Sequence, residues 1–212
     1  MENNLTVLED FKEKEFNKGF KWFSPPKEWF INIEKSQLVI KADKETDFWQ
    51  KTHYGFEADN GHFLYFEVKG NFRISTKVNS YPVNRYDQAG LMVRFSKDTW
   101  IKSSVEYIPD SKSKLGAVVT NNGYSDWSTQ EVENEEAPMY FRISRINNDF
   151  YVDHSLDGIE WNQIRMTHLF EKESKPVLVG IYTCSPQAEG YEAHFDFIKI
   201  ETITTDSTQV YF

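Results

Sequence analysis

Apolar and polar positions alternate in short bursts along most of the chain, and the clearest bursts lie between Tyr86 and Trp127. In the first, Ala89, Leu91, Val93 and Phe95 alternate with Gln88, Gly90, Met92 and Arg94. In the second, Ile101, Ser103, Val105 and Tyr107 alternate with Trp100, Lys102, Ser104 and Glu106. Residues two apart share a face of a strand, so each run predicts a strand with one apolar face and one on which polar groups gather. The four residues Ser96 to Thr99 between them suit a hairpin. A register that sets Arg94 beside Lys102 and Gly90 beside Glu106 brings two cations, a carboxylate and the Trp100 indole onto one patch. A third strand is expected further on, before Trp127.

The same pattern extends on both sides. Pro25-Pro26 rules out a continuing helix, and the apolar sets Phe30, Ile31, Ile33 and Leu38, Val39, Ile40 predict a strand pair joined around residues 34–37. Residues 43–63 are polar with embedded aromatics and read as a long loop lying against the domain. Phe63 to Val68 predicts a strand. In the next, Phe72, Ile74, Thr76 and Val78 point inward while Arg73, Ser75 and Lys77 point outward. Residues 128–138 form an acidic connection. Asn147-Asn148-Asp149 is a hairpin signal between two further strands, and Asp157-Gly158 marks another turn. Residues 167–175 suit one helical turn. Strands over 177–185 and 193–202 complete the series. Roughly a dozen short strands with turns every eight to twelve residues predict an all-β sandwich or barrel. The expected layout is one domain over residues 19–202, a polar extension over 1–18 holding a short helix or edge strand, and a polar tail over 203–212.

Composition narrows the function classes. Aromatic residues make up 16% of the 212 residues, which supplies apolar area for a core despite a modest aliphatic content. A formal net charge of -9 with no Lys/Arg run argues against nucleic acid and against an anionic membrane surface. No apolar run approaches the roughly 18–20 residues of a membrane helix. Cys184 is the one cysteine, so neither an intramolecular disulfide nor a cysteine metal cluster can form. The amino end lacks the apolar core of a secretory signal. A cytoplasmic protein is the resulting expectation. His53, His62, His154, His168 and His194 are scattered without metal-ligand spacing, so neither a metal nor a cofactor is expected.

Candidate chemistry centres on the hairpin. Glu106 is the candidate catalytic carboxylate, with Arg94 and Lys102 as charged neighbours. Opposite charges favour the ionised form, which would make Glu106 a poor general acid at neutral pH. Trp49, Trp100 and Trp127 offer flat faces for a sugar ring, although tryptophan in an aromatic-rich sandwich more often packs in the core. Asp126, near Asn121 and Asn122, can anchor a hydroxyl or cation, as can Asp87-Gln88; the alternative is capping of their own backbone. Tyr182 completes the ligand-binding set. Ser155 with Asp157-Gly158 reads as a turn, and Cys184 as an inert small hydrophobe.

Seven motifs occur in a fixed order: TDFW (46–49), YDQAGLMVR (86–94), WIKSSVEY (100–107), VVTN (118–121), SDW (125–127), SLDGIEW (155–161) and YTCSP (182–186). Over about residues 18–201 the chain resembles the domain of unknown function 1349 family, also labelled regulation of enolase protein 1, concanavalin A-like. The resemblance implies a concanavalin A-like jelly roll of two curved antiparallel sheets, with the polar face of the central hairpin on the concave side. It implies little about function. Three readings follow: a module binding a carbohydrate or polar metabolite on the concave face, an intracellular regulatory module that binds a protein partner, or a glycoside hydrolase. Against the last, glucanases of this fold carry alternating acids on one strand, whereas here Glu106 stands alone between Ser104 and Ile108. Asp126 and Asp87 are the candidates for a second acid.

Overall fold

A computed structural model describes residues 6–134 and 138–203. In chain order its strands are β1 (Thr6–Glu9), β2 (Lys21–Phe23), β3 (Glu28–Asn32), β4 (Gln37–Lys41), β5 (Phe48–Gln50), β6 (Glu57–Asp59), β7 (His62–Val68), β8 (Phe72–Tyr81) and β9 (Gln88–Ser96). They continue as β10 (Thr99–Glu106), β11 (Ser113–Asn121), β12 (Tyr124–Val132), β13 (Met139–Ile146), β14 (Asp149–Ser155), β15 (Asn162–His168), β16 (Val177–Cys184) and β17 (Glu192–Thr202). The described residues contain no helix, so the helical turn expected over 167–175 is absent; β15 and a turn occupy that segment.

Two antiparallel sheets face each other. The back sheet runs β15-β14-β13-β8-β17-β4-β3, with β1 also paired to β17, and the front sheet runs β12-β11-β10-β9-β16-β7-β2. Between them lies the main core, to which Phe72, Ile74 and Val78 contribute from the back sheet and Leu91, Val93 and Ile101 from the front. The alternation in β8 comes out as expected: Phe72, Ile74, Thr76 and Val78 are buried, and Arg73, Ser75 and Lys77 between them are only partly so.

Four expectations change. First, β1 pairs with β17, and Val7 and Phe11 lie in the main core, so a boundary at residue 18 cuts into the sandwich. The alternation in this strand covers only four residues, too few to be persuasive in a polar context. Of the tail over 203–212, only Ile203 falls within the described residues. Second, residues 43–63 do not form a loop: β5 and β6 make a separate two-stranded hairpin that buries Phe48. Third, β12 extends the front sheet to Val132, into the first part of the supposed acidic connection, where Glu131 pairs across the strands with Lys114. The β11–β12 turn places Asn122 and Gly123 at φ 51° and 75°, the left-handed pair a two-residue hairpin requires. Fourth, the β9–β10 register pairs Arg94 with Trp100, Gly90 with Ser104 and Gln88 with Glu106, with an irregularity between Thr99 and Trp100. This is a slip of two residues from the expected pairing. A slip of two preserves parity, so the polar face keeps the same members.

Candidate functional site

The front sheet turns one face toward the main core and the other outward. On the outward face β9 places Gln88, Gly90, Met92 and Arg94 beside Trp100, Lys102, Ser104 and Glu106 of β10, and β16 adds Leu178, Gly180, Tyr182 and Cys184. The sheet backbones approach so closely here that a Cβ on Gly90 would fall 1.9 Å from the Ser103 carbonyl oxygen, and one on Gly116 would fall 2.1 Å from that of Ser128. Glycine at both positions is what this close backbone approach requires.

The β5–β6 hairpin covers the middle of this face. Phe48, fully buried, packs with Met92, Trp100, Tyr182 and Cys184 in a second apolar cluster. Its ring lies 6.3 Å from both Trp100 and Tyr182. On either side of it the hairpin carries an acid that meets a sheet cation. Asp59 accepts two hydrogen bonds from Arg94, at 2.7 and 2.8 Å, and the guanidinium also lies over Phe23 at 4.7 Å. Asp47 accepts one from the Lys102 ammonium at 2.9 Å. Arg94 is 6% exposed and Lys102 3%, so each charge sits where an unpaired ion would be costly and its acid partner offsets that cost. Burial works against the Lys102 ammonium, yet the acidic groups around it, Asp47 foremost, together hold the pKa above the ordinary lysine value.

Glu106 lies at the rim of this covered region and is half-buried. Burial raises its carboxyl to about 7; Lys102 pulls the other way and Asp47 pushes further up. The expectation that nearby cations would hold Glu106 ionised is therefore reversed. Arg94 is spent on Asp59 and Lys102 on Asp47, and desolvation dominates what remains. Gln88 donates to Glu106 at 3.3 Å, and the Tyr182 hydroxyl donates to the Gln88 oxygen at 3.1 Å or to Ser104 at 2.8 Å. Glu106, Gln88, Tyr182 and Ser104 thus form one continuous polar network at the edge of an apolar floor. Burial pushes the Tyr182 phenol and the Cys184 thiol well up, so both stay protonated and the thiol is a poor nucleophile.

The other candidate residues separate. Trp100 has no exposure, and its indole donates to the Lys97 carbonyl at 3.0 Å, so it is floor rather than a stacking surface. Trp49 is partly buried against the second cluster and donates to the Thr52 carbonyl at 2.7 Å. Trp127, 41% exposed, shares the outward face and is the tryptophan of the three that keeps an open ring. Asp87 is turned away from the face: it accepts from the Val83 and Asn84 amides and from Ser185, as a loop cap. Asp126 is exposed and pairs with Arg165 at 2.9 Å, on the opposite face of β12 from Trp127. Asn121 donates to the His168 carbonyl at 3.0 Å. Neither Asp87 nor Asp126 therefore serves as a second acid for Glu106. The acid whose charge acts on Glu106 is Asp47, which the pattern alone did not single out although it stands in the TDFW motif. Asp59, Phe48 and Ser104 were missed as well; the first two belong to the hairpin read as a loop. Among the described residues no group of three or more His, Cys, Asp or Glu is placed to hold a metal.

Fold and site together define a jelly-roll β-sandwich, its outward face closed by a hairpin and open at one carboxyl. The chain belongs to the family described as Protein of unknown function (DUF1349), whose model matches residues 22–203. It is 33% identical over 184 residues to Regulation of enolase protein 1 from Saccharomyces cerevisiae, covering 87% of this chain and 89% of that protein. A crystal structure of a functionally unknown protein from Saccharomyces cerevisiae is similar with a TM-score of 0.80 and 31% identity, covering 88% of this chain and 97% of that one. The GH43 BlXynB protein from Bacillus licheniformis gives a TM-score of 0.70 at 17% identity, with 92% of this chain matching 39% of that one. At that identity the likeness is one of fold.

Proposed function

We propose that the protein binds a small, neutral, hydroxyl-rich ligand, a carbohydrate or polar metabolite, at the rim of its front face, with Glu106 as the principal hydrogen-bonding group. The observation that carries this reading is the polar network Glu106–Gln88–Tyr182–Ser104, which sits beside an apolar floor and opens outward at Glu106. With a pKa of about 7, Glu106 presents both a donating and an accepting carboxyl at neutral pH, and either form suits a hydroxyl. A neutral ligand fits better than an anion. The cations on this face, Lys114 directly across from Glu106 and then Lys102 and Arg94, are each committed to an acid, and the chain carries a net charge of -9. From Glu106 across Gly116 to the open ring of Trp127 the face spans two strand spacings and four residues, roughly 17 Å, which would accommodate a short oligosaccharide.

Hydrolysis is supported less well. Asp47 is the acid nearest to hand, but it is held by the buried Lys102 ammonium, which leaves it badly placed to attack a sugar or activate water. The curated relative's name, Regulation of enolase protein 1, supports a second reading, in which the same rim regulates a partner protein in the cytoplasm.

The test is the thermal unfolding midpoint of wild type and Glu106→Gln against a panel of neutral mono- and oligosaccharides and their phosphorylated counterparts. A ligand at a hundred times its Kd stabilises the folded state by about 2.7 kcal/mol, a rise of roughly 5–10 °C for a chain of this size. The expected result is such a rise with a neutral class, absent in Glu106→Gln. If no compound shifts wild type, or if Glu106→Gln responds equally, the binding reading falls and the partner reading takes its place.

A further inference from the structure

A recess lies at one end of the sandwich, between the sheets and on the other side of the front sheet from Glu106. It encloses about 400 Å³, within the range of small-molecule sites. Val78, Met139 and Phe141 of the back sheet line one wall, and Ala89, Val105 and Val132 of the front sheet line the other. All six belong to, or pack against, the main core. The core is thus left unfilled at this end, where close packing is the rule for protein interiors.

Shape and polarity restrict what can fill it. The front wall runs across β9, β10, β11 and β12, three strand spacings or about 14 Å, while its depth is the gap between two sheets. That is a slot. Both serines in its lining are already satisfied: Ser80 bonds to the Tyr191 hydroxyl at 2.9 Å, and Ser113 bonds to the Ile108 amide at 3.1 Å and to Asn134. At the mouth Asn134 donates to the Ile108 and Ser111 carbonyls at 2.9 and 2.6 Å, and Glu133 holds Lys112 at 2.6 Å. Leu156, 68% exposed, adds an apolar lip. The Tyr107 hydroxyl, also in the lining, is a neutral group that suits an uncharged polar end, and among the described residues Lys112 at the mouth is already paired with Glu133.

We propose that this slot is a binding site for a linear aliphatic chain with an uncharged polar end, the chain lying across the front-sheet strands and the polar end at the mouth. The site is independent of Glu106.

The probe is 1-decanol, followed by NMR of protein labelled at the methionine methyls. The sequence has four methionines, and Met139 lines the slot while Met92 sits on the outward face of the front sheet. The expected result is a saturable shift of Met139 alone, with decanoate binding at least tenfold more weakly because its carboxylate meets Glu133 and finds no free cation. Ala89→Leu, which fills the slot from within, should weaken decanol binding at least tenfold, and Val105→Phe does the same if Ala89→Leu fails to fold. No saturable shift, equal shifts at Met92 and Met166, decanoate binding as tightly as decanol, or undiminished binding by a folded slot-filling variant would each overturn the proposal.

Discussion

At the scale of the residue, Glu106 illustrates how partners decide a charge. Cations share its face, yet its pKa rises from 4.5 to about 7, because Arg94 and Lys102 answer acids on the covering hairpin, Lys114 answers Glu131, and burial is left to act on Glu106. The sign of the stability effect follows. Between 4.5 and about 7 the folded state binds more protons at this group than the unfolded state, so its contribution is fully present below 4.5 and is lost as pH rises toward 7. The size is of the order of 3 kcal/mol. Glu106→Gln, which cannot ionise, should match wild type near pH 4 and exceed it above pH 7 by up to that amount. Urea unfolding of both proteins at pH 4 and pH 8 measures it, and a variant that is weaker at pH 8 would show that the carboxylate stabilises the fold. Arg94 and Lys102 were legible as members of one face from the period of two; their partners were not, since Asp47 and Asp59 lie 55 and 35 residues away in sequence.

Among the elements, the β5–β6 hairpin is the one that turns an open sheet face into a bounded site. Three residues per strand do not make a hairpin that is stable alone. It is held by Phe48 in the second apolar cluster, by the two ion pairs, and by the Gln50 amide donating to the Ser125 hydroxyl at 2.9 Å. Phe48→Ala should therefore cost about 3–5 kcal/mol, and protection from amide exchange over residues 48–50 and 57–59 should fall well before that of β9 and β10. Uniform loss across the front sheet would mean that the hairpin is part of the global unit rather than a separable cover. This segment was illegible because its alternation is three residues long, broken by a tip in which Lys51, His53 and Tyr54 all have positive φ. The longer strands β8, β9, β10 and β16 were plain for the opposite reason: each sustains one apolar face over eight to ten residues.

Over the whole molecule, the sandwich draws on both ends of the described chain. β1 lies against β17, Val7 and Phe11 enter the main core, and the Glu9 carboxylate accepts from the Phe11 and Asn17 amides at 3.0 and 2.6 Å. Deleting residues 1–12 removes Val7 and Phe11 from the core and exposes the β17 edge, a loss of roughly 3–6 kcal/mol and of the order of 10 °C in Tm. A thermal scan of the truncated chain checks this; an unchanged midpoint would restore the view of this segment as a dispensable extension.

By itself the sequence determined the class of fold, most of the strands and the membership of the polar face, because these depend on the two-residue period of a strand and survive even a two-residue slip in register. It also carried the family, through motifs in a fixed order. Only the tertiary structure decided the ion-pair partners, the direction of the Glu106 shift, the burial of Trp100 and Tyr182, and the slot between the sheets. Those depend on contacts between residues distant along the chain, which local alternation does not encode.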